Sequence, residues 1–374
     1  MHVLLYCPMK PPDDPKPSGD RTIARLLERA FAVGGHNVTL VSRHRSWQRA
    51  PDASARARNL AKAADEVERI VRHFRERGPT DRNFPKAFVT YHNYYKAPDD
   101  IGPAVADALN IPYVLVEASH APRRQNGPWH AWQSASDRAI KAARAILNFT
   151  QRDATGIARN VATDATLIDF PPFLDTSPFQ QRNTVPDTNP SPTTPMRLIT
   201  VAMMRAGDKR DSYRALGSAL EHIADRNWHI DIIGHGAART EITDDFAWLN
   251  DGRVNFLGAR TPDEVMARMW GSDVFVWPGL GEAFGMAYLE AQASGLPVVA
   301  FETAGVPAVV RTGVTGILTP AMDTRAYADA IAVLIDDPAL RKRLGEQARD
   351  HVIRAHGLPR AAAQLDTVLQ EVAG

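Results

Sequence analysis

A single cysteine, Cys7, stands among 374 residues, which excludes an intrachain disulfide and a cysteine-based zinc site. Cysteine this sparse fits a reducing cytoplasm, and at the end of an apolar run Cys7 reads as a small buried side chain rather than a reactive thiol. Long apolar runs are missing as well. No stretch of about 18 apolar residues occurs, so no transmembrane helix is expected. The chain opens on His2-Val3-Leu4-Leu5-Tyr6-Cys7, with no basic segment leading into a long apolar one, and no export signal is expected. Charge of one sign is also lacking. Lys and Arg total 44 against 43 Asp and Glu, a formal charge of +1, which argues against a nucleic-acid partner.

What is present is a two-part α/β pattern, and the length suits two domains at roughly 100 to 200 residues each. In the first part, short apolar or β-branched runs at 3–6, 37–41, 87–91, 113–116, 145–148 and 166–169 alternate with amphipathic stretches at 21–33, 53–77, 102–109 and 128–143. That alternation predicts β-α-β units and a parallel sheet. Residues 171–195 then hold seven prolines among Ser, Thr, Asn and Gln, a composition that builds little core and reads as a linker. A second α/β series follows, with strands at 197–202, 229–234, 254–257, 274–277, 297–301 and 316–319 and helices at 212–223, 262–270, 286–293, 324–335 and 338–353. The expected organisation is an N-terminal Rossmann-like domain at 1–170, the linker at 171–195, a second Rossmann-like domain at 196–357, and a helix at 358–374 packing back on the first domain.

From Asp273 the sequence reads strand, glycine-rich loop, helix, strand: DVFVWP, GLGEAFG, MAYLEAQAS, GLPVVAF. Gly279, Gly281 and Gly285 permit a tight backbone path, and the helix that follows offers unpaired N–H groups to an anion. Gly295 and Pro297 stop that helix. Two carboxylates interrupt this apolar unit, Glu282 in the loop and Glu290 about a turn and a half into the helix. Both face the carboxyl end of the sheet, where open α/β folds bind ligands. Carboxylates accept hydrogen bonds from hydroxyls, the groups that a sugar or ribose offers.

This segment resembles the signature of the retaining glycosyltransferases of GT-B fold, family 4, also called group 1. Their Glu-x7-Glu motif appears here as E282-AFGMAYL-E290. The resemblance implies two Rossmann-like domains facing across a cleft, with a nucleoside-diphosphate sugar as donor. It gives Glu282 the hydroxyls of the transferred sugar and Glu290 the ribose. Ala283, Phe284, Gly285 and Met286 would contribute main-chain contacts to sugar and phosphate. After the first strand of the second half, VAMMRAGDKR supplies Arg205 and Lys209 for the donor diphosphate, with Arg210 as a rival for Lys209 because the spacing is one residue shorter than usual. Gly234 and Gly236 flank His235 in a second loop, and Ala259 and Arg260 follow VNFLG, where the family holds the base through main-chain atoms. AGVPAVV resembles the family's Gly-Gly-x-Pro-Glu run, with Ala304 and Ala308 in place of its first Gly and its Glu. No Asp-Xaa-Asp triplet of the metal-dependent transferases occurs, so the expected chemistry needs no metal and no cofactor. Paired cations would take the charge of the leaving diphosphate instead.

By the same resemblance the first domain binds the acceptor: a glycan, a lipid-linked sugar or a small molecule. Ser18-Gly19-Asp20 precedes its first helix, and the Gly19 backbone is a candidate for donor contact. His120 follows the 113–116 strand, where the family often places a histidine beside the transferred sugar and acceptor. His92, in TYHNYYK, lies at a similar strand end among aromatic residues suited to stacking on a sugar. Between Arg43 and Arg77, ten Lys and Arg face five Asp and Glu. This is either a surface for anionic lipid headgroups on the cytoplasmic side of a membrane or a solvated helix face laced with Glu/Arg pairs. Three other readings are a nucleotide-sugar epimerase of the same fold, a catalytically silent nucleotide-sugar-binding subunit, and a nicotinamide dehydrogenase. The last lacks a GxGxxG after the first strand.

Overall fold

The computed structural model describes residues 1–16, 18–180, 194–249 and 252–374. The chain divides into two compact units, one of Met1–Pro171 with Leu358–Gly374 and the other of Pro172–Gly357.

In the first unit the elements run β1 (His2–Tyr6), α1 (Gly19–Val33), β2 (Asn37–Ser42), α2 (Ala53–Arg77), β3 (Ala87–Asn93), α3 (Gly102–Leu109), β4 (Tyr113–Ala118), α4 (His130–Ala142), β5 (Ala145–Asn148), α5 (Gln151–Ile157) and β6 (Thr166–Asp169). The strands form one parallel sheet in the order β2-β1-β3-β4-β5-β6. Covered on both faces, the central strands read as unbroken apolar runs: Val3, Leu4, Leu5 and Tyr6 are buried, as are Val114, Leu115 and Val116. Helix α1 starts where Ser18 Oγ accepts from the Arg21 N–H, and it buries Ile23, Leu27, Ala30 and Phe31. The order reverses between β1 and β3, so the carboxyl ends of those strands, with β4 beside them, make the switch point where ligands bind.

The second unit contains α6 (Ser177–Gln180), β7 (Met196–Val201), α7 (Asp208–Glu221), β8 (Trp228–Ile233), α8 (Arg239–Asp245), β9 (Val254–Gly258), α9 (Pro262–Trp270), β10 (Val274–Val276), α10 (Met286–Ala293), β11 (Val298–Phe301), β12 (Gly316–Thr319), α11 (Thr324–Asp336) and α12 (Pro338–Ala355). Its parallel sheet is ordered β12-β11-β10-β7-β8-β9. Counted from β9 this is the 3-2-1-4-5-6 order of dinucleotide-binding folds, with its switch point between β7 and β10. A last helix, α13 (Leu358–Ala373), returns to the first unit. It packs on α1 and donates from Gln364 Nε2 to the Asp169 carbonyl at 2.7 Å.

Three local features differ from the sequence expectation. Strands β3 and β4 continue two residues past positions 91 and 116, through His92 and Glu117, both at positive φ (66° and 60°). Helix α7 begins at Asp208 rather than 212, so Lys209 and Arg210 are helical and not in a loop. Gly207, at φ 82°, turns the chain there, and Asp208 and Asp211 suit the positive end of the helix dipole. Of the proline-rich 171–195 stretch, 181–193 lies outside the described residues, but 172–180 packs into the second unit. Phe173, Leu174 and Phe179 are buried there, and the Leu174 N–H donates to the His356 carbonyl at 2.9 Å. Apolar anchors among the prolines outweigh the polar composition.

Candidate functional site

The switch point of the second unit is built by glycines. Gly279, Gly281 and Gly285 have φ of 72°, 65° and 80° in the loop after β10. A Cβ on Gly279 would fall 1.9 Å from the Tyr288 hydroxyl, and one on Gly281 would fall 2.1 Å from Asp208 Oδ2. The loop therefore closes tightly over the start of α7. Leu280 N–H donates to Ser212 Oγ at 2.9 Å, tying loop to helix. Gly305 supports it from the other side: its N–H donates to the Glu282 carbonyl at 3.1 Å, and a Cβ there would overlap the Ala283 carbonyl oxygen at 1.3 Å.

This packing brings Glu282 to Lys209. Their side chains form an ion pair, Trp277 Nε1–H donates to the same Glu282 Oε1 at 2.9 Å, and the Lys209 ammonium sits 5.4 Å from the Trp277 ring centroid. Arg210 points elsewhere and pairs with Asp245 at 2.9 Å and Glu241 at 3.3 Å on α8. Of the two rival cations, only Lys209 meets Glu282. Arg205 is exposed in the loop after β7, on the same switch point.

Glu290 lies in the middle of α10. Burial pushes its carboxyl up to about 7, with no cation or hydrogen-bond donor among the described residues to pull it back. It is a carboxyl without a partner. No side chain caps the α10 N-terminus, where Ala283, Phe284, Gly285 and Met286 lead into the helix. Gly234 and Gly236 have a structural task. A Cβ on either would fall within 1.9 and 2.1 Å of the Ala202 and Met204 carbonyl oxygens, and Met204 N–H donates to the His235 carbonyl at 3.1 Å. Their missing side chains let this loop lie against the one that carries Arg205. Ala259 and Arg260 are exposed past the end of the edge strand β9, and the Arg260 guanidinium donates to the Ala259 carbonyl at 3.1 Å. Ala304 takes a positive φ of 49°, a conformation that a glycine adopts without strain.

In the first unit, His120 lies just beyond β4 with Nδ1 2.7 Å from Asp137 Oδ1, to which Gln133 Nε2 also donates at 2.8 Å. Donation from Nδ1 to a carboxylate leaves Nε2 as the acceptor, and Gln125 Nε2 is 3.4 Å from it. Gly19 is the first residue of α1 and nothing lies within 4 Å of where its Cβ would be. The next residue, Asp20, already places a carboxylate in that first turn and holds His92 Nδ1 at 2.9 Å. Burial works against the His92 cation, yet the Asp20 hydrogen bond and the nearby Glu117 and Asp153 charges keep it protonated above its usual range.

Sequence reasoning missed Trp277, Asp137 and Glu117. Trp277 follows the buried strand β10 just before the glycine loop, and Glu117 is a lone charge in the apolar run YVLVEA. A charge inside a buried parallel strand is the signal that was available. On α2, Arg69 pairs with Glu66 at 2.7 Å, Arg72 with Glu68 at 3.4 Å, and Arg56 is buried on Asp100, so part of the basic 43–77 stretch is engaged within the fold. Among the described residues, no helix is long and apolar enough to cross a membrane and no three His, Cys, Asp or Glu are grouped to hold a metal ion.

Residues 195–337 match the family described as Glycosyl transferases group 1. Similar curated proteins include the D-inositol 3-phosphate glycosyltransferases of Corynebacterium glutamicum (33% identical over 163 residues, 42% of this chain and 39% of that protein) and Corynebacterium efficiens (38% over 121 residues, 32% and 28%). The matches thus span less than two fifths of those relatives. Among solved structures, sucrose-phosphate synthase from Thermosynechococcus elongatus superposes with a TM-score of 0.70 over 99% of both chains at 17% identity. Anabaena HepE in complex with UDP does so at 0.71 over 99% of this chain and 100% of that one, at 15% identity. The fold is GT-B.

Proposed function

We propose that this chain, whose residues 195–337 match the group 1 glycosyltransferases, transfers a sugar from a nucleoside diphosphate to a hydroxyl acceptor with retention at the anomeric carbon and without a metal. The observation that carries this reading is the meeting of Glu282, Lys209 and Trp277 at the switch point, eight residues before the unpartnered carboxyl of Glu290 on α10.

In this reading the ribose hydroxyls donate to Glu290, which has no other partner. The diphosphate takes Lys209 away from Glu282 and gains Arg205. Glu282, released from its cation but still fixed by Trp277, then accepts from hydroxyls of the sugar to be transferred. The bond from the anomeric carbon to the diphosphate oxygen breaks, the acceptor oxygen bonds to that carbon on the same face, and the acceptor proton passes to the departing phosphate oxygen. The side chains position the reactants and stabilise developing charge. The relatives' printed activity, glycosyl transfer to an inositol phosphate, and the UDP bound to HepE support a diphosphate donor and make UDP the first nucleotide to try.

The test is Glu282→Ala assayed by nucleoside diphosphate release with acceptor present. Transfer should fall about 100-fold or more, the cost of losing a group that acts on the reacting sugar, with UDP binding largely kept. Undiminished transfer in this variant would remove Glu282 from the donor site.

A further inference from the structure

His92 and Glu117 face each other across two adjacent parallel strands. The register pairs Tyr91 with Val116 and Asn93 with Ala118, so the two residues between them are opposite. Each takes a left-handed backbone (φ 66° and 60°) that costs a non-glycine residue roughly 1–2 kcal/mol. Two such residues side by side within strands persist only where the surroundings enforce them, and such strain gathers at binding and catalytic sites. Their position is the carboxyl end of β3 and β4, next to the switch point of the first unit. Asp20, on the helix that follows β1, completes the group through its 2.9 Å contact with His92 Nδ1. His92 and Asp20 keep about a fifth of their side-chain surface exposed (20% and 23%), so the group is reachable from solvent.

Glu117 Oε2 is shut off from water and has no hydrogen-bond partner. A buried carboxyl oxygen left unpaired costs roughly 1–3 kcal/mol, and a hydroxyl brought to it would supply the missing partner. Aromatic rings line the approach. His92 stacks on Tyr94 at 4.8 Å, and Tyr95 and Trp129 follow at 5.6 and 5.1 Å. The charges around the group are the Asp20 and Asp153 carboxylates, one imidazolium held by Asp20, and Lys10, which is paired with Asp14 at 3.6 Å, so both cations are already engaged. Burial pushes the Glu117 carboxyl up to about 7 against the pull of His92, so near neutrality it both donates and accepts, as a hydroxyl partner requires. Lys96 and Arg124 sit farther out, over the Tyr95 ring at 5.8 and 5.4 Å.

We propose that Glu117, the Asp20–His92 pair and the Tyr94 ring form the acceptor subsite, and that it takes a neutral polyhydroxyl ring, a sugar or cyclitol, in preference to a phosphorylated one. The term acceptor rests on the transfer reaction proposed above; the ring-binding site itself does not.

Saturation-transfer NMR on the full chain without nucleotide, using methyl α-glucoside and myo-inositol against glucose 6-phosphate and inositol 1-phosphate, tests the subsite apart from the donor. The neutral rings should bind about tenfold more tightly than their phosphorylated forms. Glu117→Ala should abolish their signal, whereas Glu117→Gln, which keeps donor and acceptor atoms, should retain it. A thermal shift with UDP on the same samples reads the donor site and the integrity of the fold: absence of that shift with ring binding intact would sink the donor reading and leave the subsite standing. Tighter binding of the phosphorylated rings, binding of no ring, or unchanged binding in a folded Glu117→Ala would overturn the proposal. Should Glu117→Ala fail to fold, the neutral-to-phosphorylated ratio in wild type and Glu117→Gln decides.

Discussion

Glu282 is held by a cation and an indole, while Glu290, eight positions on, has no partner among the described residues. The sequence presented them as two similar carboxylates; what separates them is the cation and indole that hold one and not the other. For Glu290 the consequence is a pH dependence with a definite sign. Its folded value, about 7, lies above the unfolded value near 4.5, so its contribution to stability is fully present below about 4.5 and is lost as pH rises through about 7. Glu290→Gln should therefore melt like wild type at pH 4.5 and above it at pH 8, by at most about 3 kcal/mol. Nucleotide binding should run the other way. Ribose hydroxyls donate best to an ionised carboxylate, so wild-type affinity for UDP should rise as pH increases from 6 to 8, and Glu290→Gln should flatten that rise. Calorimetric melting and titration at the three pH values check both halves, and an affinity that falls with pH would contradict the assigned role.

At the scale of elements, what was legible depended on whether a rule acts locally. Helix α10 and the glycines around it were readable because loop, helix and stop signal follow one another in sequence. The start of α7 was not, since Gly207 turns the chain into the helix with no side-chain cap to announce it, and the first-turn aspartates suit the positive end of its dipole. Nor were the left-handed His92 and Glu117, whose conformations are imposed by neighbouring strands. Gly305 was visible only as part of a motif with two departures, yet its hydrogen at Cα is what lets the Ala283 carbonyl approach. Gly305→Ala should destabilise the chain by about 1–3 kcal/mol and lower transfer by shifting the loop of Glu282. Gly19→Ala is the contrast: with open space around it and its N–H retained, melting and transfer should stay at wild-type values or gain slightly. Denaturant melts and transfer rates of the two variants side by side check the pair, and a benign Gly305→Ala would mean that the loop tolerates movement.

For the molecule as a whole, α/β class and strand positions were legible because both sheets are buried on their two faces and leave apolar runs of the right length. Strand order was not, since two different orders arise from the same alternation of strand and helix: β2-β1-β3-β4-β5-β6 in one unit and β12-β11-β10-β7-β8-β9 in the other. The glycine loop, Trp277 and Glu282 are continuous in sequence, while Lys209 reaches Glu282 only through the sheet order that sets β7 beside β10. The proposed ring subsite draws on α1, β3 and β4, and no single stretch announces it.

A nucleoside-diphosphate site centred on Lys209, Glu282 and Glu290 is read out by a thermal melt with UDP, GDP and ADP, each with and without EDTA. At 100 times its dissociation constant the cognate nucleotide should stabilise the protein by about 2.7 kcal/mol, equally with chelator present, and Glu290→Ala should lose most of that gain. Stabilisation by none of the three, or by one only when a divalent metal is supplied, would contradict the account.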